Sequence, residues 1–591
     1  MKFIYEKYLK NILKLKFLVL LLVFICMLPF INKRIEIGTA RWFDFDAMKW
    51  SLYDAGFFLN NAMKYDTFNA NVFNGLIKNR AFIWFLLFAN HHKLELHFAV
   101  SLTWIVASIM VFFVSFKWTK KIIISFLFFL YVLFCPIAFF SLAPGVIYRD
   151  ILFVQTLLIT LSFVFLFCYE FLYNNKNIML IIYGVFSGLC MFYIYFLTET
   201  GIVFIMANTS ILILFLFYYI LKNKVKKRML FILIPLIIFL FGVISYKFIN
   251  YRVWGSYVEN IRTCGEAKRF INNIQDIEDE NTSTLVWATQ DQINKAYNAS
   301  KSFQKNYKLK ESLNSLCTSM QTKNKLDYYG DFLGWGLIVY MEKYKIPCPD
   351  FEKMLKNIND EIDVAFKEGI LKKGKKIKLT KTLGRYTKKE INEEVIPLTF
   401  VSMKSLVTYE SMIKGVFFAE ESKDEKGEYI EFFNVKNGKN IDKNYWFVVT
   451  LIDVYKKVNT FLVYIFILIL LFSIILFIKD LIKIKCNKTN SLSYLIYEKR
   501  NIYLIIMIMF LLFYILYLFS ISWFSVFLPC NWPEEFKIPF VYNYASSGIA
   551  FMAFAFLFCI SNIICFFENF IFKTDYYKKY KNEMMLFNKN E

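Results

Sequence analysis

The chain has 591 residues, of which 57% are hydrophobic and 20% aromatic, with ten prolines and a formal net charge of +23. This composition excludes a disordered or ordinary soluble chain and places the protein among membrane proteins. The basic surplus sits mostly in short loops between apolar runs, so it reports topology and contact with anionic lipid, not nucleic-acid binding.

Residues 1–31 are predicted to be a cytoplasmic N-terminus and a first span, with the apolar run at 14–31. That run follows lysines but is long and lacks a small-residue cleavage site, so it reads as an uncleaved anchor. Residues 32–94 form a first extracytoplasmic loop. Its stretch "WFDFDAMKWSLYDAGFFLNNAMKYDTFNANVF" mixes aromatic groups with isolated acids, as short helices at a membrane surface do. Asp44, Asp46 and Asp54 then lie near the outer boundary. "AFIWFLLFAN" at 81–90 is too short to cross and is predicted to be interfacial.

Apolar runs at 95–116, 122–141, 151–171, 177–196, 202–221 and 229–249 follow, making residues 95–249 a block of six spans. Each is close to the roughly 20 residues that cross about 30 Å of hydrocarbon as a helix. Residues 250–457 are the size of an ordinary domain and have mixed composition. Within them, "PDFEKMLKNINDEIDVAFKEGIL" places Phe351, Leu355, Ile358, Ile362 and Phe366 on one helical face, with Asp350 as cap and Gly369 as stop. "VFFAEESKDEKGEYIEFF" reads as a β-hairpin, and "LKKGKKIKL" near 371 is merely basic. Residues 458–572 hold three last spans, at 458–478, 502–525 and 546–567, and 573–591 form a cytoplasmic tail.

Charge bias sets the orientation. With the N-terminus inside, the cytoplasmic pieces 1–16, 117–121, 172–177, 222–228, 479–500 and 573–591 hold 25 basic and six acidic residues, which is +19 of the formal +23. The short outer loops 142–150, 197–201 and 528–545 hold only two basic residues, Arg149 and Lys537. The expected fold is therefore an α-helical polytopic membrane protein of about ten spans with an extracytoplasmic α+β domain and both termini in the cytoplasm. Cys264, Cys317, Cys348 and Cys530 fall outside, where a disulfide is permitted, with no pairing readable.

No G-x-x-x-x-G-K-[ST], G-x-S-x-G or H-E-x-x-H motif occurs, so energy for outer-face chemistry must arrive with the substrate. The informative stretch is "SLAPGVIYRDILFVQ", which sets Arg149 beside Asp150 in an outer loop. A structural role is open to both: Asp150 as a helix cap and Arg149 as a headgroup anchor. A functional role is also open, because Asp54 and the Glu199 of "FLTETGIV" fall on the same side, and carboxylates at membrane depth tend to line functional cavities.

"YDAGFFLNNAMKYDTFNANVFNGLIKNRAFIWFLLF", "IYRDILFVQTLLI", "YFLTETGIVFI", "INYRVWGSYVENIRTCGEAKRFINNI" and "DEIDVAFKEGIL" resemble, in order and spacing, bacterial GT-C-type membrane glycosyltransferases. The similar branch is related to the protein mannosyltransferase and aminoarabinose transferase families. The resemblance implies an enzyme of the bacterial cytoplasmic membrane that moves sugar from a polyprenyl-phosphate donor to an envelope acceptor. It further implies Asp54 as general base, Arg149 as a phosphate clamp through its planar fork, and Asp150 and Glu199 as second carboxylates that orient groups or hold a divalent cation. The chain departs from the branch's pattern in Ala55 after Asp54, in "TET" at 198–200, and in the absence of arginine from "FVYNYASSG" at 540–548. Asp54 and Glu199 also have structural readings, as the N-cap of "AGFFLNNAM" and as a partner for backbone groups at a turn. His91, His92 and His97 fall within seven residues and are weak metal candidates beside a plain linker role. Tyr542 and Tyr544 read as an aromatic belt. A transporter or flippase for lipid-linked glycans and a non-catalytic envelope scaffold are the competing functions; no pair of similar halves with broken helices favours the transporter.

Overall fold

The computed structural model describes residues 2–39, 76, 80–140, 149–173, 177–223, 227–319, 327–409, 441–487, 499–527 and 544–572. The protein is a multi-pass helical membrane protein, with eight helices among the described residues long and apolar enough to cross a bilayer. They match eight of the ten apolar runs in the sequence. The run at 14–31 lies within α1 (Lys2–Thr39). The run at 122–141 divides into α4 (Ile122–Leu133) and a single turn, Ile137–Phe140. Pro136 explains the break, since a proline disfavours helical backbone in the residue before it.

The membrane helices are α3 (Leu96–Thr119), α5 (Phe153–Tyr173), α6 (Asn177–Tyr195), α7 (Gly201–Asn223), α8 (Ile234–Trp254), α13 (Ile441–Asn487), α14 (Lys499–Ser525) and α15 (Gly548–Phe572). The span headed by α5 is the most enclosed, with 83% of its apolar window buried against 11% for α13, so α5 runs near the bundle's middle and α13 along its flank. α6 and α8 approach unusually closely. A Cβ at Gly188 would lie 2.6 Å from both Ile238 Cβ and the Pro235 carbonyl, so only glycine admits this crossing. The short helix α2 (Ala81–His91) exists as expected and packs inward through Phe82, Ile83 and Leu86.

Two ends of the bundle are distinct. One gathers the ion pairs Lys117–Glu170 at 3.0 Å, Lys121–Glu568 at 3.0 Å and Arg500–Asp480 at 2.5 Å, all near the basic connections of the sequence. The other carries the domain between α8 and α13. Its core joins α9 (Gly265–Asp276), α10 (Phe332–Lys343) and α11 (Cys348–Lys367) around Phe270, Ile274, Leu337 and Leu355. Phe351, Leu355, Ile358 and Ile362 of α11 are buried and Phe366 packs at the edge, as the periodicity predicts. Gly369 ends the helix with φ +75°. Asp350 is not the cap: α11 starts at Cys348 after Pro347, with Asp350 in its first turn. Prolines 347 and 349 fix helical φ early and move the start.

Among the described residues the domain's strands form two antiparallel pairs, β1 (Val286–Ala288) with β2 (Tyr328–Tyr329) and β3 (Ile377–Lys378) with β4 (Arg385–Tyr386). The expected hairpin near 416–433 lies outside the described residues. α12 (Ile396–Thr408) then packs on α14 and α13. The domain docks on the end of α14 through aromatic groups and hydrogen bonds. Tyr386 donates to the Trp523 carbonyl at 3.0 Å, and the Trp523 indole donates to the Gly384 carbonyl at 2.9 Å. Cys264 and Cys348 are thiols, and burial pushes Cys348 up to about 12.

Candidate functional site

A single 3-10 turn, Arg149–Leu152, leads into α5 and buries both Arg149 and Asp150. Because α5 is the enclosed helix, this turn sits over the bundle's middle, not at its rim. Asp150 lies inside the turn, where it is close enough to Tyr517 of α14 to interact electrostatically. The Tyr517 hydroxyl donates to the Tyr544 carbonyl at 2.6 Å and adjoins Ser547 and Thr200. Tyr544 therefore reaches the site through its backbone.

Glu199 comes from the turn between α6 and α7. The turn is tight: a Cβ at Gly201 would meet the Tyr195 Cα at 2.7 Å and the Ile194 carbonyl at 2.8 Å. Thr198 and Thr200 brace it with hydroxyls 3.0 Å apart. The Glu199 carboxylate forms an ion pair with Arg149 and reaches a second guanidinium, Arg262, at 3.4 Å. Arg262 belongs to the domain between α8 and α13, in the segment after α8. It also donates to Asp331 at 2.7 Å and lies over the Trp335 ring, 4.9 Å from its centroid. Asp331 precedes α10 and makes no cap hydrogen bond there; its carboxylate turns to Arg262 instead.

The cluster thus unites the turn before α5, the α6–α7 turn and the domain between α8 and α13. Its two guanidinium side chains are only 6% and 7% exposed, whereas the Glu199 and Asp331 carboxylates are 33% and 28% exposed. Carboxylates face outward over buried cations. With Arg149, Arg262, Asp150, Glu199 and Asp331 counted, the formal charge is −1. The cations form a base on which an incoming phosphate could exchange with a carboxylate.

Arg149, Asp150 and Glu199, singled out in the sequence, come together here. Asp54, with Asp44 and Asp46, lies outside the described residues, as does Tyr542. Arg262, Asp331 and Trp335 escaped the sequence reading. Arg262 sits in "VENIRTCG" without a distinguishing pattern, and Asp331 before a helix reads as an ordinary cap. The histidines diverge: His91 and His92 are exposed at the end of α2, with ring centroids 5.1 Å apart, while His97 is buried on α3. Among the described residues, no three His, Cys, Asp or Glu side chains are grouped to hold an ion. No family model, curated protein or solved structure matches the chain.

Proposed function

We propose that the protein is a membrane glycosyltransferase of GT-C type, moving a sugar from a polyprenyl phosphate to an envelope acceptor at the outer face of a bacterial cytoplasmic membrane. In this reading α1 and the divided run at 122–141 complete ten spans, and the domain between α8 and α13 is extracytoplasmic. The observation that carries the reading is the meeting of Arg149, Asp150 and Glu199 with Arg262 at one end of the bundle, from turns far apart in the chain.

The chemistry needs little more. An acceptor hydroxyl attacks the anomeric carbon while Asp54 takes its proton. The bond from that carbon to the phosphate oxygen breaks, and the electron pair leaves with the polyprenyl phosphate. Arg149 and Arg262 stabilise the departing charge, as buried preorganised cations do best. Glu199, held between them, is the anion the phosphate displaces, and Asp150 with Tyr517 orients the floor of the site.

The reading is tested in membranes with labelled polyprenyl-phosphate sugars. Asp54→Asn and Arg149→Met are expected to abolish transfer at unchanged protein level. Unchanged transfer in both would refute the assigned roles. A scaffold is the second reading, favoured by the Arg262 pairs with Glu199 and Asp331, which also tie the outer domain to the bundle. It predicts a full complement of folded protein with no transfer from any donor.

A further inference from the structure

We propose that a cleft in the outer domain, distinct from the membrane turns, binds a neutral polyhydroxylated ligand the size of one sugar ring. The cleft has a volume of about 150 Å³ and lies between the acidic loop after α9 and the lysine-rich segment before β3. The lysine run thereby gains a structural partner. The Glu278 amide donates to the Lys372 carbonyl at 2.9 Å, and the Gly374 amide to the Asp276 carbonyl at 2.9 Å. Ile277 and Lys373 form an antiparallel bridge between the two segments.

This pairing uses backbone groups and leaves the side chains around the opening. Three acids (Glu278, Asp279, Glu280) and three bases (Lys375, Lys376, Arg385) line it, so its formal charge is zero. A phosphate would meet the acids and an ammonium the bases; a neutral ligand meets neither penalty. Several of these groups are already fixed. Lys376 donates to the Thr282 hydroxyl at 2.8 Å, Asp279 accepts from the Asn281 amide at 2.8 Å, and Arg385 pairs with Asp276 and donates to the Asn272 carbonyl at 3.0 Å.

Gln275 is the exception. It lines the cleft, is only 6% exposed, and its carboxamide oxygen has no hydrogen-bond partner among the described residues. The Arg385 Nε, from β4, also has none. A buried polar group left unsatisfied in this way is costly, and a ligand that pairs with it gains by as much. One group calls for a donor and the other for an acceptor, and neighbouring hydroxyls supply both. The volume equals that of about five waters at ~30 Å³ each, which is the scale of one pyranose ring. Trp287, 3% exposed, also lines the cleft.

The inference stands whether or not the chain transfers sugar, and its test uses no transfer reaction. The full chain in lipid nanodiscs, free of glycoside detergents, is titrated with the methyl glycosides of glucose, galactose, mannose and N-acetylglucosamine, followed by saturation-transfer NMR and calorimetry. At least one is expected to bind. Gln275→Leu, which removes a hydrogen-bonding group, and Gly374→Leu, which fills part of the cleft, should each weaken it at least about tenfold. Gly374→Leu keeps the test decisive if Gln275→Leu misfolds, because a Cβ there meets nothing closer than 3.7 Å. No binding by any glycoside, or binding that survives the folded variants, would mean that the cleft holds only water. Tighter binding of inorganic phosphate at the cleft would overturn the ligand class.

Discussion

Gly188→Ala tests whether the turn carrying Glu199 depends on the close crossing of α6 and α8. The added Cβ would sit 2.6 Å from the Ile238 Cβ and 2.6 Å from the Pro235 carbonyl, where ordinary contact begins near 3.4 Å. The carbonyl belongs to the backbone and has no rotamer to yield, so the two helices must part by most of an ångström. Overpacking of this kind costs about 1–3 kcal/mol. Separation displaces both ends of the Glu199–Arg262 contact, since α6 leads to Glu199 and α8 to Arg262. The assay is the fraction of monodisperse protein after heating, read by size exclusion, beside Gly374→Ala, whose Cβ makes only ordinary contacts, none closer than 3.7 Å. Gly188→Ala is expected to lose stability clearly and Gly374→Ala to match the wild type. Equal melting of Gly188→Ala and wild type would refute the packing argument.

Arg262→Met should loosen the domain between α8 and α13 and speed its release by protease. The expected cost is about 1–2 kcal/mol, between that of an exposed and a buried pair, because Glu199 and Asp331 stay partly in water. Tyr386→Phe removes the hydrogen bond to the Trp523 carbonyl and should cost about 1 kcal/mol in the same proteolysis assay. Glu352 is held above the ordinary glutamate pKa by burial, so its contribution to stability is full below the unfolded value and is lost as pH rises through the raised folded value. Glu352→Gln, which can still accept from the Glu266 amide, should therefore be more stable than wild type at neutral pH and show a flatter pH profile in thermal melts.

Hydrophobic run length made the membrane helices legible, and the 3.6-residue period of Phe351 to Ile362 made α11 legible. Run length alone could not register the local effect of Pro136 on the run at 122–141. Arg149, Asp150 and Glu199 stood out because charge between apolar runs is costly and therefore conspicuous. Arg262 and Asp331 did not, because they lie in a polar domain where charge is ordinary. Only the fold of the α8–α9 connection, which brings Arg262 over Trp335 and under Glu199, gives them a place in the site. The partnership of "DIEDE" with "KKGKK" was hidden for a related reason. It rests on long-range backbone hydrogen bonds, to which side-chain composition is blind.

The central claim is that a polar cluster at the extracytoplasmic end of the bundle receives a polyprenyl phosphate. Thr200, half-buried beside Glu199, reports on it directly. Thr200→Cys is labelled in intact cells with a membrane-impermeant maleimide and mapped by peptide mass, with and without added polyprenyl phosphate. The account predicts labelling from outside that the lipid phosphate slows. Labelling only after the membrane is opened, or labelling indifferent to the lipid, would contradict it.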